Sequence, residues 1–187
     1  MPLPRIGLKR GSVTLPTLTL RLSLSTPLTS ADLQRFISEH RLEAEILHLA
    51  EHTPTVPEAA RVLAVEPEQI IKSLVFVIDD EPLLVINNGL AKVDRRQVAD
   101  RLGVGRKKVK FASAEHALSI TGYVVGSMPP FGHRLKLRTL LDPAITTWDM
   151  VYGGGGDLDA MLRLTVAELL RVTQAEVIEV SERFKNN

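Results

Sequence analysis

The 187-residue sequence contains no cysteine, and only 4% of its residues are aromatic. The first absence excludes a disulfide scaffold, a thiolate zinc site and a cysteine nucleophile. Any catalysis must therefore do without an enzyme thiolate. The second argues against a broad platform on which bases stack. No run of 18 apolar residues occurs, so no segment is expected to span a membrane, and a reducing, cytoplasmic setting is compatible. The chain also lacks a P-loop, a GxSxG elbow and an HExxH pair. His40, His48, His52 and His116 have no ligand spacing, and neither metal nor cofactor is expected. The length suits one compact domain with a terminal extension.

Charge of both signs is present and unevenly placed. The formal net charge is +1. Between Lys92 and Arg138, however, eleven basic residues face three acids, a local +8. Between Asp142 and Glu182 eight acids face two arginines, a local −6. The plain reading is a set of solvated helix faces. The sharper one is a basic surface that attracts phosphates, as nucleic-acid binders use, with Arg106, Lys107, Lys108 and Lys110 as its densest part and candidate nucleic-acid-binding residues.

Residues 1–28 read as an N-terminal extension and 29–187 as the domain. In the extension Leu18, Leu20, Leu22 and Leu24 alternate with polar residues, as in a strand, while its acid-free, Ser/Thr-rich start also resembles a targeting segment. Ser30 is a candidate N-cap for a helix with Leu33, Phe36 and Ile37 on its apolar stripe. A strand is expected over 43–49 and a second helix from about Val56, with Ala59, Ala60, Leu63 and Ala64 as its apolar face; 65–71 reads as a turn entering a short helical piece. Two β-rich runs, 73–78 and 83–86, flank Asp79-Asp80-Glu81-Pro82 as a hairpin. Asp94 and Gln97 look like a capping box for a helix stopped by Gly103. A short strand at 109–111, a helical turn at 114–119, strands at 135–141 and 147–152, a tight connection through Gly153–Gly156, a helix over 165–172 and a strand over 175–180 complete the pattern. The alternation is mixed, which predicts a mixed α/β or α+β domain.

Three features can carry chemistry. Lys72 sits at the mouth of the apolar run 73–78, where lysine is rare; it is either an edge-strand guard or a point charge for a phosphate or ester oxygen. Gly122–His133 combines three glycines and two prolines, a stiff loop able to aim backbone N–H groups at a carbonyl, or else a structural turn. His133 at its end is a candidate general base or donor. Gly153–Gly156 reads more readily as a strand connection than as a phosphate nest.

Taken in order, His52-Thr53-Pro54-Thr55-Val56-Pro57-Glu58-Ala59-Ala60, Ile71-Lys72-Ser73-Leu74-Val75, Val93–Ala99 and Gly122-Tyr123-Val124-Val125-Gly126-Ser127-Met128-Pro129-Pro130-Phe131-Gly132 resemble the YbaK/ProX family of aminoacyl-tRNA editing domains, also found attached to prolyl-tRNA synthetases. The similarity spans about residues 30–182. It implies a mixed, barrel-like β-sheet with surrounding helices and hydrolysis of the ester of mischarged tRNA, typically tRNA(Pro) carrying a small wrong amino acid (Ala, Cys, Ser or Thr). It further implies that Lys72 contacts the 3′-terminal adenosine and that the GxxxP loop Gly126–Pro130 holds the aminoacyl ester, without metal, cofactor or covalent intermediate. The candidate catalytic residues are then Lys72, Gly126 and His133. Thr55, Ser127, Met128, Pro129, Pro130 and Gly132 are the candidate substrate-binding residues. Expected partners are aminoacyl-tRNA and prolyl-tRNA synthetase. Ser127 and Met128 stand where the family often has small residues. This leaves open a tRNA- or nucleotide-binding module without turnover; a synthetase-binding regulator is a separate alternative.

Overall fold

The computed structural model describes residues 26–51 and 53–182; the alternating leucines of the N-terminal extension lie outside the described residues. The helices are α1 (Ser30–Glu39), α2 (Val56–Leu63), α3 (Arg95–Leu102), α4 (Ala114–Thr121) and α5 (Val166–Thr173). The strands are β1 (Ala44–His48), β2 (Ile71–Ile78), β3 (Glu81–Asn88), β4 (Lys110–Phe111), β5 (Arg138–Leu141), β6 (Met150–Gly154), β7 (Ala160–Thr165) and β8 (Glu176–Val177).

The described strands form two sheets, of order β1-β7-β6 and β4-β2-β3-β5-β8. The first is antiparallel throughout. The second is antiparallel at β4-β2-β3 and parallel at β3-β5-β8, as the mixed alternation predicts. A bridge between Ile70 and Tyr152 joins them at the β2–β6 corner.

Local chemistry accounts for most boundaries. The β2–β3 hairpin closes through Asp79 and Asp80, both with positive φ (50° and 68°), as a two-residue turn requires to match strand twist. The N-cap of α1 is Thr29 rather than Ser30: the Asp32 carboxylate accepts from both the amide and the hydroxyl of Thr29. Asp94 caps α3 by accepting from the Arg96 amide, and Gly103 ends the helix with φ 66°. The box expected there does not close, because Gln97 donates to the Ser181 carbonyl instead. Thr165 caps α5 through the Glu168 amide.

The C-terminal half departs most from expectation. β7, the central strand of the smaller sheet, has no counterpart in the expected pattern. β5 starts only at Arg138, Pro143–Thr147 is a 3₁₀ turn, and Gly153 and Gly154 belong to β6. The last strand shrinks to Glu176–Val177.

Packing alternates with the strand period. Ile71 and Val75 of β2, Leu84 and Ile86 of β3 and Leu141 of β5 point to a core shared with α1, α4, α5 and the smaller sheet. Phe76, Leu83, Val85 and Leu140 point to the opposite face and pack on Val98 and Ala99 of α3. Val56, Ala59 and Ala60 of α2 cover Ile70, with Tyr152 and Met161 packed alongside. Ala64, expected on that apolar face, is instead the exposed left-handed C-cap of α2.

Candidate functional site

Three segments meet at the corner of the two sheets: the start of β2, the glycine-rich end of β6 and the loop after α4. A Cβ added to Gly153 would lie 3.3 Å from Ile71 Cγ1 and 3.6 Å from Pro130 Cδ. A Cβ on Gly154 would stand 2.5 Å from the Met128 carbonyl oxygen, so only glycine lets the loop lie this close to β6. The Gly156 amide donates to the Ser127 carbonyl (2.9 Å), and Asp157 accepts from the Ser30 amide (3.0 Å), which ties the glycine run to both the loop and α1. Gly154, Gly155 and Gly156 thus admit neighbouring backbone.

Lys72 follows Ile71 at this corner. Its side chain lies on the β2 face that holds Leu74 and Phe76, and it is exposed. It forms no ion pair or hydrogen bond with the described residues. Directly across the ladder stands Asn87, fully buried, whose Nδ2 donates to the Ala91 carbonyl (2.9 Å) while Oδ1 has no described partner. Nothing in the sequence marked Asn87; only the strand register brings it to Lys72.

The loop is built to hold its backbone. Gly126 takes φ 102° and Gly132 φ 77°, and Gly132 packs on Leu33 and Phe36 of α1. The Ser127 amide and hydroxyl both donate to the Val124 carbonyl (each 3.1 Å). Ser127, Met128, Pro129, Pro130 and Phe131 are all buried, and the Met128 side chain belongs to the core. The backbone amides of Val125, Gly126 and Met128 donate to no described acceptor.

His133 ends the loop on another side. Its Nε2 lies 2.8 Å from the Pro129 carbonyl, and its ring meets Tyr123 edge-on with centroids 6.1 Å apart. Burial lowers its pKa to about 4, against the opposing effect of the Pro129 hydrogen bond. It opens on a cleft of about 270 Å³ lined by Phe36, His40, Pro130, Lys136, Thr139 and Thr173 among others. Lys72 and Gly126 do not line this cleft. Lys72 projects from the sheet face opposite the core to which Tyr123, Met128 and Phe131 belong. The structure therefore brings Ile71, the neighbour of Lys72, against the loop, and does not bring Lys72 into one cluster with His133.

Thr55 is engaged locally: its hydroxyl donates to the Glu58 carboxylate (2.7 Å), and its Oγ1 caps the Glu58 amide. Arg106, Lys107 and Lys108 form an exposed 3₁₀ turn after α3, and Lys110 opens β4 at the edge of the larger sheet. Lys108 is held by Asp79 at 2.8 Å; Arg106, Lys107 and Lys110 carry no ion pair with the described residues.

This arrangement of lysine, glycine-dense strand end and rigid GxxxP loop sits inside a region, residues 50–172, that matches the family model for the aminoacyl-tRNA editing domain. The chain belongs to that family. It is 26% identical over 136 residues to the protein YwhH of Bacillus subtilis, covering 72% of this chain and 85% of that one. It is 31% identical over 88 residues to the multifunctional Ser/Thr-tRNA deacylase ProXp-y of Escherichia coli K12, covering 46% of this chain and 52% of the relative. The chain thus matches about half the length of that deacylase. A solved structure described as a candidate trans-editing enzyme for prolyl tRNA synthetase superposes with a TM-score of 0.76 at 29% identity, over 82% of this chain and 97% of that one. Among the described residues no helix is long and apolar enough to cross a membrane.

Proposed function

We propose that this protein is an aminoacyl-tRNA deacylase that works in trans on mischarged tRNA, with tRNA(Pro) carrying alanine, cysteine, serine or threonine as the substrate set. The observation that carries this reading is the β2–β6 corner, where an exposed lysine follows the residue that packs on the GxxxP loop, and where both the lysine and three loop amides have no described hydrogen-bond partner.

An aminoacyl ester is already activated, so the protein needs only to position water and polarise the carbonyl. Lys72 binds the terminal nucleotide through its phosphate or sugar oxygens. The amides of Gly126 and its neighbours receive the carbonyl oxygen as negative charge develops on it. Water adds to the carbonyl carbon, the bond to the ribose oxygen breaks, and the proton goes to that oxygen. Ser127 and Met128 are buried, and Met128 packs into the core. Discrimination against a larger side chain rests on pocket volume, worth about 1–3 kcal/mol per methylene. The exposed Arg106, Lys107 and Lys110 attract the acceptor stem. The protein acts in the cytoplasm, and prolyl-tRNA synthetase is the partner whose errors it would clear.

The test is a deacylation screen over tRNA(Pro) charged with alanine, cysteine, serine, threonine and proline. Release of at least one small amino acid, with prolyl-tRNA spared and Lys72→Ala inactive, is expected. Tight, salt-sensitive tRNA binding with no turnover across the screen would replace the reading by a binding module. Stable co-purification with the synthetase and no turnover would replace it by a regulator.

A further inference from the structure

We infer that His133 is a positioning residue, a clamp on the GxxxP loop, and not the group that moves the proton; the inference rests on the deacylase reading. A carbonyl oxygen only accepts, so the 2.8 Å contact with Pro129 requires the proton on Nε2. Nδ1 then keeps its lone pair, and no described group bonds to it. The nitrogen that faces the loop is already spent on backbone.

Two further observations fix the role. The bond spans four residues and closes Pro129 to His133 across Pro130, Phe131 and Gly132, a stretch in which the two prolines carry no amide of their own. The Pro129 carbonyl would otherwise sit buried without a partner, because no other hydrogen bond from the described residues reaches it. The imidazole therefore supplies a donor that the local backbone cannot, and it sets the orientation of the Pro129–Pro130 peptide. Upstream in the same rigid unit lie Gly126 and Met128, whose amides the reaction uses.

The surroundings suit a neutral ring. Tyr123 packs against it, and His40 and Lys136 are the titratable groups on the cleft that it faces. Among the described residues no carboxylate lines that cleft, so an imidazolium formed during proton abstraction would gain no counter-charge from them there. Lys72, at the ester's nucleotide end, belongs to the other face of the sheet.

The test compares His133→Gln with His133→Ala. Glutamine places an amide donor at the same chain depth as Nε2 but cannot serve as a base. The alanine variant is expected to lose about 10- to 100-fold in kcat with KM within about two-fold of wild type, as misplacement of a site predicts. Glutamine is expected to recover most of that loss, and both variants keep the wild-type pH profile between about pH 5.5 and 8. A folded glutamine variant as inactive as alanine, or an alanine variant with full kcat, overturns the clamp. Where alanine fails to fold, the glutamine variant decides alone. Long-range ¹H–¹⁵N spectra of the full chain test the same point without substrate. They should show Nε2 protonated and Nδ1 bare across that pH range, and the Nδ1–H tautomer or an imidazolium would overturn the inference. Should the wild type hydrolyse no mischarged tRNA, the deacylase reading fails while these spectra still decide the clamp.

Discussion

Lys72 stands opposite Asn87 in the antiparallel β2–β3 ladder, an exposed unpaired ammonium beside a fully buried amide. Directly opposed residues share a face with Cβ atoms about 5 Å apart. The pair therefore separates two jobs. Asn87 holds the end of β3 to Ala91 through its Nδ2, while Lys72 is left with nothing to do for the fold. Lys72→Ala should change the urea midpoint by no more than about 0.5 kcal/mol equivalent, as exposed sites do. Deacylation should fall at least about 100-fold if the lysine binds the reacting nucleotide. Asn87→Ala should cost about 1–3 kcal/mol, the range for orphaning a buried hydrogen-bond partner. Chemical denaturation alongside single-turnover deacylation separates the two effects.

Gly154 sets how close the loop comes to β6. A Cβ there would stand 2.5 Å from the Met128 carbonyl oxygen and 2.7 Å from the Ser127 carbonyl, and both obstacles are backbone. Gly154→Ala should push the loop away from the strand, destabilising the fold by about 1–3 kcal/mol and lowering kcat by more than the stability loss explains. Gly105→Ala makes the control, because its Cβ would meet nothing within 4 Å and its φ is −67°. That control should match wild type in both activity and thermal midpoint.

The legible and illegible parts of this site differ in physical kind. Lys72, the hairpin and the stiff loop were readable because each rests on local chemistry: a charge in an apolar run, turn residues that tolerate positive φ, prolines that fix backbone. Asn87 was not, since its importance comes from strand register, which no short window contains. β7 was missed because Ala160–Thr165 places its one charge, Arg163, on the exposed face and follows a glycine run that reads as loop. Only pairing with β1 on one side and β6 on the other makes it a central strand. His133 was found as a residue, but its contact with the Pro129 carbonyl depends on how the loop folds back.

Acid should weaken the fold partly through Glu168. This buried carboxylate accepts from Arg171 at 2.6 Å and from the Glu43 amide at 2.9 Å, and the Arg171 guanidinium holds its pKa below the ordinary value. A depressed folded-state pKa gives stability that is complete above the unfolded value, about 4.3, and fades as pH falls through the folded one. Asp32 and Glu176, lowered chiefly by the Thr29 amide and by Arg138 respectively, act in the same direction. Glu168→Gln should therefore be less stable than wild type at pH 7, and the gap should narrow toward pH 3. Urea midpoints at four pH values across that span measure it, and a gap constant with pH would show that the carboxylate's charge plays no part.

Salt should report which basic residues meet the tRNA. Lys108 is already neutralised by Asp79, whereas Arg106, Lys107 and Lys110 have no described ion pair to give up before meeting a phosphate. Removing one cation that binds a phosphate should reduce the slope of log affinity against log salt by about one. The triple variant Arg106→Ala, Lys107→Ala, Lys110→Ala should therefore bind tRNA with a slope shallower by about two to three, provided all three meet phosphates. It should raise KM while leaving kcat near wild type, because these residues lie on the β4 edge and not at the β2–β6 corner. Lys108→Ala should change the slope by well under one, since Asp79 already engages its ammonium. A triple variant with unchanged salt dependence would move the tRNA-facing surface elsewhere on the basic segment, toward Arg95, Arg96 and Arg101 of α3.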